Sequence, residues 1–426
     1  MKKILFIILD QLRADAVWGA LGAHVALPAI RGLAEDGVRL ARHYSAANPC
    51  GPSRASILTG LYPMTHRSVR NGTPLSAHHA TLPDELRKAG YEPFLYGYSD
   101  TSLDPRRHAA ADPALRNYEQ PMPGLVERVE MRFERSYPWR AHLKARGYDM
   151  PEYARFYVPR SPDPSRPPEI DDPAFYRAED SDTAFLTDAF LRDLSVREDQ
   201  PWCAMLTYIR PHPPFVAPAP YNRLVDPARL PLPQRSGDRA ADAARHPFLA
   251  AAQVQAPTAR YVQGFADLVE TDAAIQKMRA VYLGLAAEVD HHVGRVIDWL
   301  RESGQIDDTL VILTSDHGEM LGDHWCWGKM NFHEPAWHVP LILRVPGLGA
   351  RAGTVVDAFT LSVDLAPTVL DWLGRDAPAG MDGRSLLPLL RGDAPADWRD
   401  HAVMELDLAD LETPTPWQTM LGMPVE

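Results

Sequence analysis

Cysteine is scarce in this chain. Cys50, Cys203 and Cys326 are the only three in 426 residues. An odd, sparse set excludes a disulfide framework. Cys203 sits in the apolar run Trp202–Tyr208 and reads as a small buried hydrophobe. No apolar run approaches the ~20 residues of a membrane span. The first run, Ile4–Leu9, passes straight into Asp10, Arg13 and Asp15 with no clean small-residue cleavage site. It reads as a core strand rather than a secretory leader, and the expected location is the cytoplasm. Positive charge is not in excess either. Lys and Arg number 44 against 56 Asp and Glu, a net charge of −12. That leaves no global field for nucleic acid, though a local basic pocket for a small anion stays open. There is no internal repeat. An apolar content of 45% is ordinary for a globular protein, and the length suffices for a large core.

What is present is concentrated at strand ends. Ile4–Leu9 and Thr309–Thr314 are continuous apolar runs that stop abruptly at Asp10-Gln11 and at Ser315-Asp316-His317-Gly318-Glu319. Unbroken apolar strands are the pattern of a parallel sheet covered on both faces. Ligand sites in such sheets lie beyond the carboxyl ends of the strands. Asp10, Asp316 and His317 can therefore meet although they are far apart in sequence. Between them comes Cys50-Gly-Pro-Ser-Arg-Ala-Ser-Ile-Leu-Thr-Gly60, where Pro52 is predicted to open a helix. Cys50 then lies at the mouth of that helix, where backbone N–H groups favour an anion. Arg54, four residues on, shares a helix side with Cys50, and its planar fork suits an oxyanion.

The rest of the chain alternates strand and helix. Helices are predicted at 28–37, 81–90, 182–195 and 268–303, the last with a break left open, and at 362–374 with a restart at Pro367. Strands are predicted at 38–45, 91–98, 202–209 and 339–343. The alternation argues for an α/β fold with a doubly wound, mostly parallel sheet flanked by helices. Residues 104–180 and 213–265 lack periodicity and read as long ordered insertions, the first capping the site or making a subunit contact. Residues 1–400 read as one domain, and 401–426 as an extension in which Val403–Leu408 reads as the first strand of a small, truncated or short C-terminal part.

The segment from Cys50 to Gly60 resembles the signature of sulfatases, the segment that an activating enzyme reads when it oxidises the cysteine to formylglycine. With Asp10-Gln11-x-Arg13-x-Asp15, Arg210-Pro211-His212-Pro213-Pro214-Phe215, Ser315-Asp316-His317-Gly318-Glu319, Gly322-Asp323-His324 and Gly328-Lys329, the chain resembles the sulfatase branch of the alkaline phosphatase superfamily over residues 1–400. It is most similar to the phosphonate monoester hydrolase subgroup. The resemblance implies an alkaline-phosphatase-like fold and hydrolysis of sulfate and phosphonate monoesters, and of phosphate diesters. A dedicated arylsulfatase or phosphodiesterase is the alternative within the same fold. A non-catalytic metal-binding protein is a more distant one. It implies one divalent ion, manganese or calcium, on Asp10, Asp316, His317 and the formylglycine oxygen of Cys50. Oxygen-rich ligation with one imidazole fits either metal. It implies a formylglycine-generating enzyme as a partner, a small anionic ester as substrate, and a homo-oligomer.

By the same resemblance, Arg54, His212 and Lys329 join Cys50 as catalytic residues, with His212 donating to the leaving oxygen or transferred group. Gln11, Asn71, Tyr98 and Asp100 contact the substrate, and the Gln11 amide reaches the ion or its water. Two positions depart from the pattern. Asp100 stands where the subgroup has a hydrogen-bond-donating Thr, and an ionised acid cannot donate. It is expected to turn away, to pair with Arg106 or Arg107, or to change the preferred substrate. His338 stands where relatives place an arginine, which weakens the positive field. Cys326, in Trp325-Cys326-Trp327, is a further pocket candidate. One ion and few cations favour singly charged esters over doubly charged phosphate monoesters.

Overall fold

The computed structural model describes residues 2–407 except Glu134 and Ala256. Ten strands run in chain order: β1 Lys3–Leu9, β2 Val38–Tyr44, β3 Ala47–Asn48, β4 Pro93–Gly97, β5 Val126–Glu130, β6 Cys203–Tyr208, β7 Thr309–Thr314, β8 Leu341–Arg344, β9 Thr354–Leu361 and β10 Glu405–Leu406. Eight of them form one sheet in the order β5-β4-β6-β1-β7-β8-β2-β9. Within it only the β8 pairings with β7 and β2 are antiparallel; the others are parallel.

β1 shows why its sequence does not alternate. Leu5, Ile7 and Leu9 enter one hydrophobic core, and Ile4, Phe6 and Ile8 enter the core on the opposite face. Both faces are covered, so both sets of side chains must be apolar. The first core takes the Pro28–Asp36, Asp182–Leu194 and Asp272–Glu302 helices. The second takes the Cys50–Thr59 and Leu365–Trp372 helices. Asp272–Glu302 is one unbroken helix of 31 residues, so the break left open by the sequence is absent. The restart near Pro367 is real: a short 3-10 turn at Ser362–Asp364 leads into the helix beginning at Leu365. Proline in a first turn forfeits no intrahelical bond.

The segment 104–180, expected as a long ordered insertion, contains regular elements that its weak periodicity concealed. It supplies the edge strand β5 and the Tyr137–Ala145 helix. The strand escaped detection because it is half-exposed and carries Glu127, Arg128 and Glu130 instead of an apolar run. Charge on an edge strand guards against sheet-to-sheet pairing. At the other end, β10 makes a two-residue parallel pairing with β3. Leu408, the end of the expected Val403–Leu408 strand, lies outside the described residues. Among the described residues, no helix is long and apolar enough to cross a membrane.

Candidate active site

β1 and β7 are parallel neighbours, so Asp10 and Ser315-Asp316-His317 leave the sheet side by side. The Cys50–Thr59 helix points its first turn at them. It begins at Cys50, two residues before the expected Pro52 start. It ends on Gly60, whose left-handed φ of 66° lets its N–H reach the Ser56 carbonyl at 2.9 Å. All residues of this helix are buried, so no amphipathic period marks it in the sequence. Gly51 is required beside Cys50: a Cβ there would lie 2.9 Å from Asn71 Oδ1 and 3.1 Å from the Asp100 carbonyl oxygen.

Asp10, Cys50, Asp316 and His317 each offer a ligand atom, and these atoms lie within 4.8 Å of one another. Cys50 Sγ, which stands where a formylglycine oxygen would be, is 3.1 Å from His317 Nε2. His317 Nδ1 faces the Gly318 carbonyl at 3.2 Å. A neutral ring therefore carries its proton on Nδ1 and turns the Nε2 lone pair to the cluster, as a metal ligand does. Burial lowers the His317 pKa to about 4 against the pull of Asp316, so the ring is neutral near pH 7. Asp10 Oδ1 is buried without a hydrogen-bond partner. An unsatisfied buried carboxylate oxygen is costly, and a cation in the cluster would satisfy it. Burial and the Asp316 charge push Asp10 upward. Asp316, though equally buried, is held below the usual carboxylate range by His317, Arg54 and Lys329. The donor set thus fits a hard-to-intermediate divalent ion.

Arg54 is held among the acids. It is 1% exposed and is not among the cavity-lining residues. Nε donates to Asp316 Oδ2 at 3.0 Å, Nη2 to Asp10 Oδ2 at 3.1 Å and Nη1 to the Tyr98 carbonyl at 3.0 Å. Its fork is committed to the two aspartates, not to an oxyanion. Gln11 is likewise engaged at both ends: Nε2 donates to Glu319 and Oε1 accepts from Lys329 Nζ at 2.7 Å. Lys329 also donates to Cys50 Sγ at 3.3 Å. Although burial opposes its charge, Cys50, Asp10 and Asp316 raise its pKa.

Tyr98 lines the cavity but gives its hydroxyl to Asp10. Asn71 Oδ1 accepts from the Gly51 N–H at 2.9 Å, which fixes the amide so that Nδ2 remains a donor. Asp100 neither turns away nor pairs with Arg106, which binds Asp104 instead. It lines the cavity at 7% exposure, with Arg54 Nε 3.9 Å away. Burial pushes its pKa up to about 8; Arg54 opposes this, and Asp10, Glu119 and Asp316 reinforce it. Near neutral pH it therefore retains a proton and can donate. Gln11 and Asp100 both have left-handed φ, 69° and 46°, local strain of the kind that gathers at functional sites.

His212 lines the cavity, and its Nδ1 lies 2.6 Å from the Pro213 carbonyl. The same tautomer argument leaves Nε2 an acceptor. Burial, aided by Lys329, lowers its pKa well below the ordinary value, so the doubly protonated ring that the expected donation needs is disfavoured. His338 stacks on Tyr44 at 4.9 Å and does not line the main cavity. Cys203 and Cys326 are buried outside the cluster.

The cavity above the cluster measures about 540 Å³. Its wall includes residues from both insertions that belong to none of the motifs. Tyr118, Glu119 and Phe133 come from the first insertion, and Arg260, Tyr261 and Gln263 from the second. No motif or period marks them, because they are contributed one at a time by irregular backbone.

A family model for sulfatases matches residues 2–375. The chain is 38% identical over 420 residues to the multifunctional alkaline phosphatase superfamily protein PehA of Trinickia caryophylli, spanning 96% of this chain and 81% of that protein. Among solved structures, phosphonate monoester hydrolase SpPMH from Silicibacter pomeroyi matches with a TM-score of 0.97 at 57% identity, over 99% of this chain and 83% of that one. The phosphonate monoester hydrolase of Agrobacterium radiobacter matches with a TM-score of 0.93 at 38% identity, over 100% and 84%.

Proposed function

The chain belongs to the sulfatase family of the alkaline phosphatase superfamily, closely related to the phosphonate monoester hydrolase and arylsulfatase subgroup, and on that footing we propose that it hydrolyses singly charged anionic esters through a formylglycine made from Cys50. The substrates are sulfate monoesters and phosphonate monoesters, with phosphate diesters as a further class. The observation that carries this reading is the convergence of Asp10, Cys50, Asp316 and His317 within 4.8 Å at the head of a buried helix.

Those four residues would hold one manganese or calcium ion, which when bound supplies Lewis-acid polarisation of a substrate oxygen and of a hydroxyl at position 50. The unmodified thiol is a poor candidate for the nucleophile. Burial pushes its pKa well above the ordinary value against the pull of Lys329, and only the thiolate attacks efficiently. Cys50 is 5% exposed, so the activating enzyme must read the segment before the chain folds around it.

The remaining residues do the electrostatic work. Arg54 balances Asp10 and Asp316, orienting both carboxylates and opposing the upward push on Asp10. Lys329, steadied by Gln11, meets negative charge on the transferred group next to the nucleophile. Asn71 Nδ2 and the protonated Asp100 donate to its oxygens. His212, neutral with Nε2 unprotonated, accepts a hydrogen bond from a protonated oxygen at the reacting group. The aromatic wall of Tyr118, Phe133, Tyr261 and Trp327 suits an aryl or bulky alkyl leaving group. Among the described residues, Lys329 and Arg260 are the only cations lining the cavity, too few to compensate a doubly charged phosphate monoester beside so many acids.

The test is twofold. Mass spectrometry of the peptide containing residue 50 should show loss of sulfur as aldehyde or hydrate. The kcat/KM values for matched p-nitrophenyl sulfate, phenylphosphonate monoester and phosphate diester should exceed that of the phosphate monoester. Fully active protein carrying only an unmodified thiol refutes the nucleophile assignment. A tenfold or greater preference for the phosphate monoester refutes the substrate class.

A further inference from the structure

His212 reaches the cavity from the Pro-rich loop after β6, where no ladder of backbone hydrogen bonds holds it. Arg210, two residues earlier, is 1% exposed and does not line the cavity. Its Nη1 donates to the carbonyls of His212 and Pro214, each at 3.2 Å. Its Nε donates to Asp182 Oδ2 at 3.0 Å, and its Nη2 to the Tyr176 hydroxyl at 3.4 Å. One guanidinium thus ties the carbonyls on both sides of Pro213 to the first turn of the Asp182–Leu194 helix.

The anchor is itself fixed. Asp182 is 3% exposed, and its Oδ1 accepts from the Thr183 N–H at 2.9 Å. Ser181 caps the same turn by accepting from the Ala184 N–H at 3.1 Å. Glu288 on the Asp272–Glu302 helix is the other buried acid nearby. Burial and the Asp182 charge push its carboxyl well above the usual range, so it carries a proton and leaves the Arg210–Asp182 pair charge-balanced. A buried ion pair is seldom more stabilising than an apolar pair of similar volume. An apolar pair, however, cannot offer a rigid fork that donates to an acid and two carbonyls at once.

We propose that Arg210, anchored by Asp182, is the positioning residue that sets the His212 ring against the reacting group. The inference rests on the reading of His212 as a hydrogen-bond acceptor there, and the test separates the two. In the metal-loaded enzyme, kcat and KM for a p-nitrophenyl ester are measured for Arg210→Lys, Asp182→Asn and His212→Ala, and for each of the first two combined with His212→Ala. Lysine keeps the charge but not the fork. A displaced catalytic group can cost up to about 100-fold, so Arg210→Lys and Asp182→Asn should each lower kcat by about 10-fold or more, with KM changed less than about threefold. In the His212→Ala background the same substitutions should cost less than about threefold, because the group they position is gone. Equal losses in both backgrounds would show that Arg210 only supports the fold, and would overturn the inference while leaving His212 its role. Wild-type kcat in His212→Ala alone would sink the His212 reading and this inference with it. If Arg210→Lys does not fold, the near-isosteric Asp182→Asn cycle decides on the same criteria.

Discussion

Replacing Arg54 with Met separates two accounts of this residue. If Arg54 gripped substrate, its loss would raise KM and leave the unliganded protein as stable as before. The structure commits its three donor nitrogens to Asp10, Asp316 and the Tyr98 carbonyl, with the two carboxylates 1% and 0% exposed. Removing one partner of such a buried set leaves uncompensated charge, at a cost of about 3–5 kcal/mol. With an unfolding entropy of about 2.1 cal/mol/K per residue over 426 residues, the metal-free protein should lose about 3–6 °C in Tm. A divalent ion returns positive charge to the same carboxylates, so loading Mn²⁺ should recover much of the loss. The Tm difference between metal-free and metal-loaded protein should therefore be larger in Arg54→Met than in wild type. The assay is scanning calorimetry on chelator-treated and reloaded samples at one scan rate, alongside kcat and KM. A metal-free Tm within 1 °C of wild type, combined with a tenfold rise in KM, would refute the grip on the aspartates and restore Arg54 to the substrate.

Asp10→Asn and Asp316→Asn should each lower bound metal sharply by elemental analysis; unchanged stoichiometry in both would remove them from the ligand set. Asp100→Thr should hold kcat/KM for a sulfate monoester level as pH rises through about 8, where the wild type loses the Asp100 proton and gains a repulsive charge. Identical profiles would mean that Asp100 does not act on the substrate. His43 is fully buried with Nε2 unpartnered, and burial lowers its pKa to about 3. Because the unfolded chain takes up that proton first, His43 should cost up to ~1.4 kcal/mol of stability per pH unit as pH falls from about 6.5 toward 3. His43→Leu should flatten the dependence of the urea midpoint between pH 7 and 5, and an unchanged slope would refute the assignment.

What the sequence made legible follows from how many faces each element buries. β1 and β7 are covered on both sides, so their runs are unbroken and their ends, Asp10 and Asp316, stand out. β5 is covered on one side and carries charge, so it was lost in the 104–180 insertion. The Cys50–Thr59 helix is buried all round, so it has no amphipathic period, and only Pro52 and its resemblance to a known segment marked it. Spacing placed Arg54 on the Cys50 side of that helix but could not name its partners, because those come from two strand ends distant in sequence. The partners of Gln11 and Tyr98 were hidden for the same reason. Each lines the cavity, yet the polar end of each is already held by Lys329, Glu319 or Asp10. These engagements have a common cause. A cluster that gathers Asp10, Asp316, Asp100 and Glu319 beneath one cavity must distribute positive charge and hydrogen-bond donors among the acids before any remain for an incoming anion. Arg54, Gln11 and Tyr98 are consumed in that way. Lys329, Asn71 and a protonated Asp100 are the donors left over, and a site so nearly balanced has capacity for one negative charge more readily than for two.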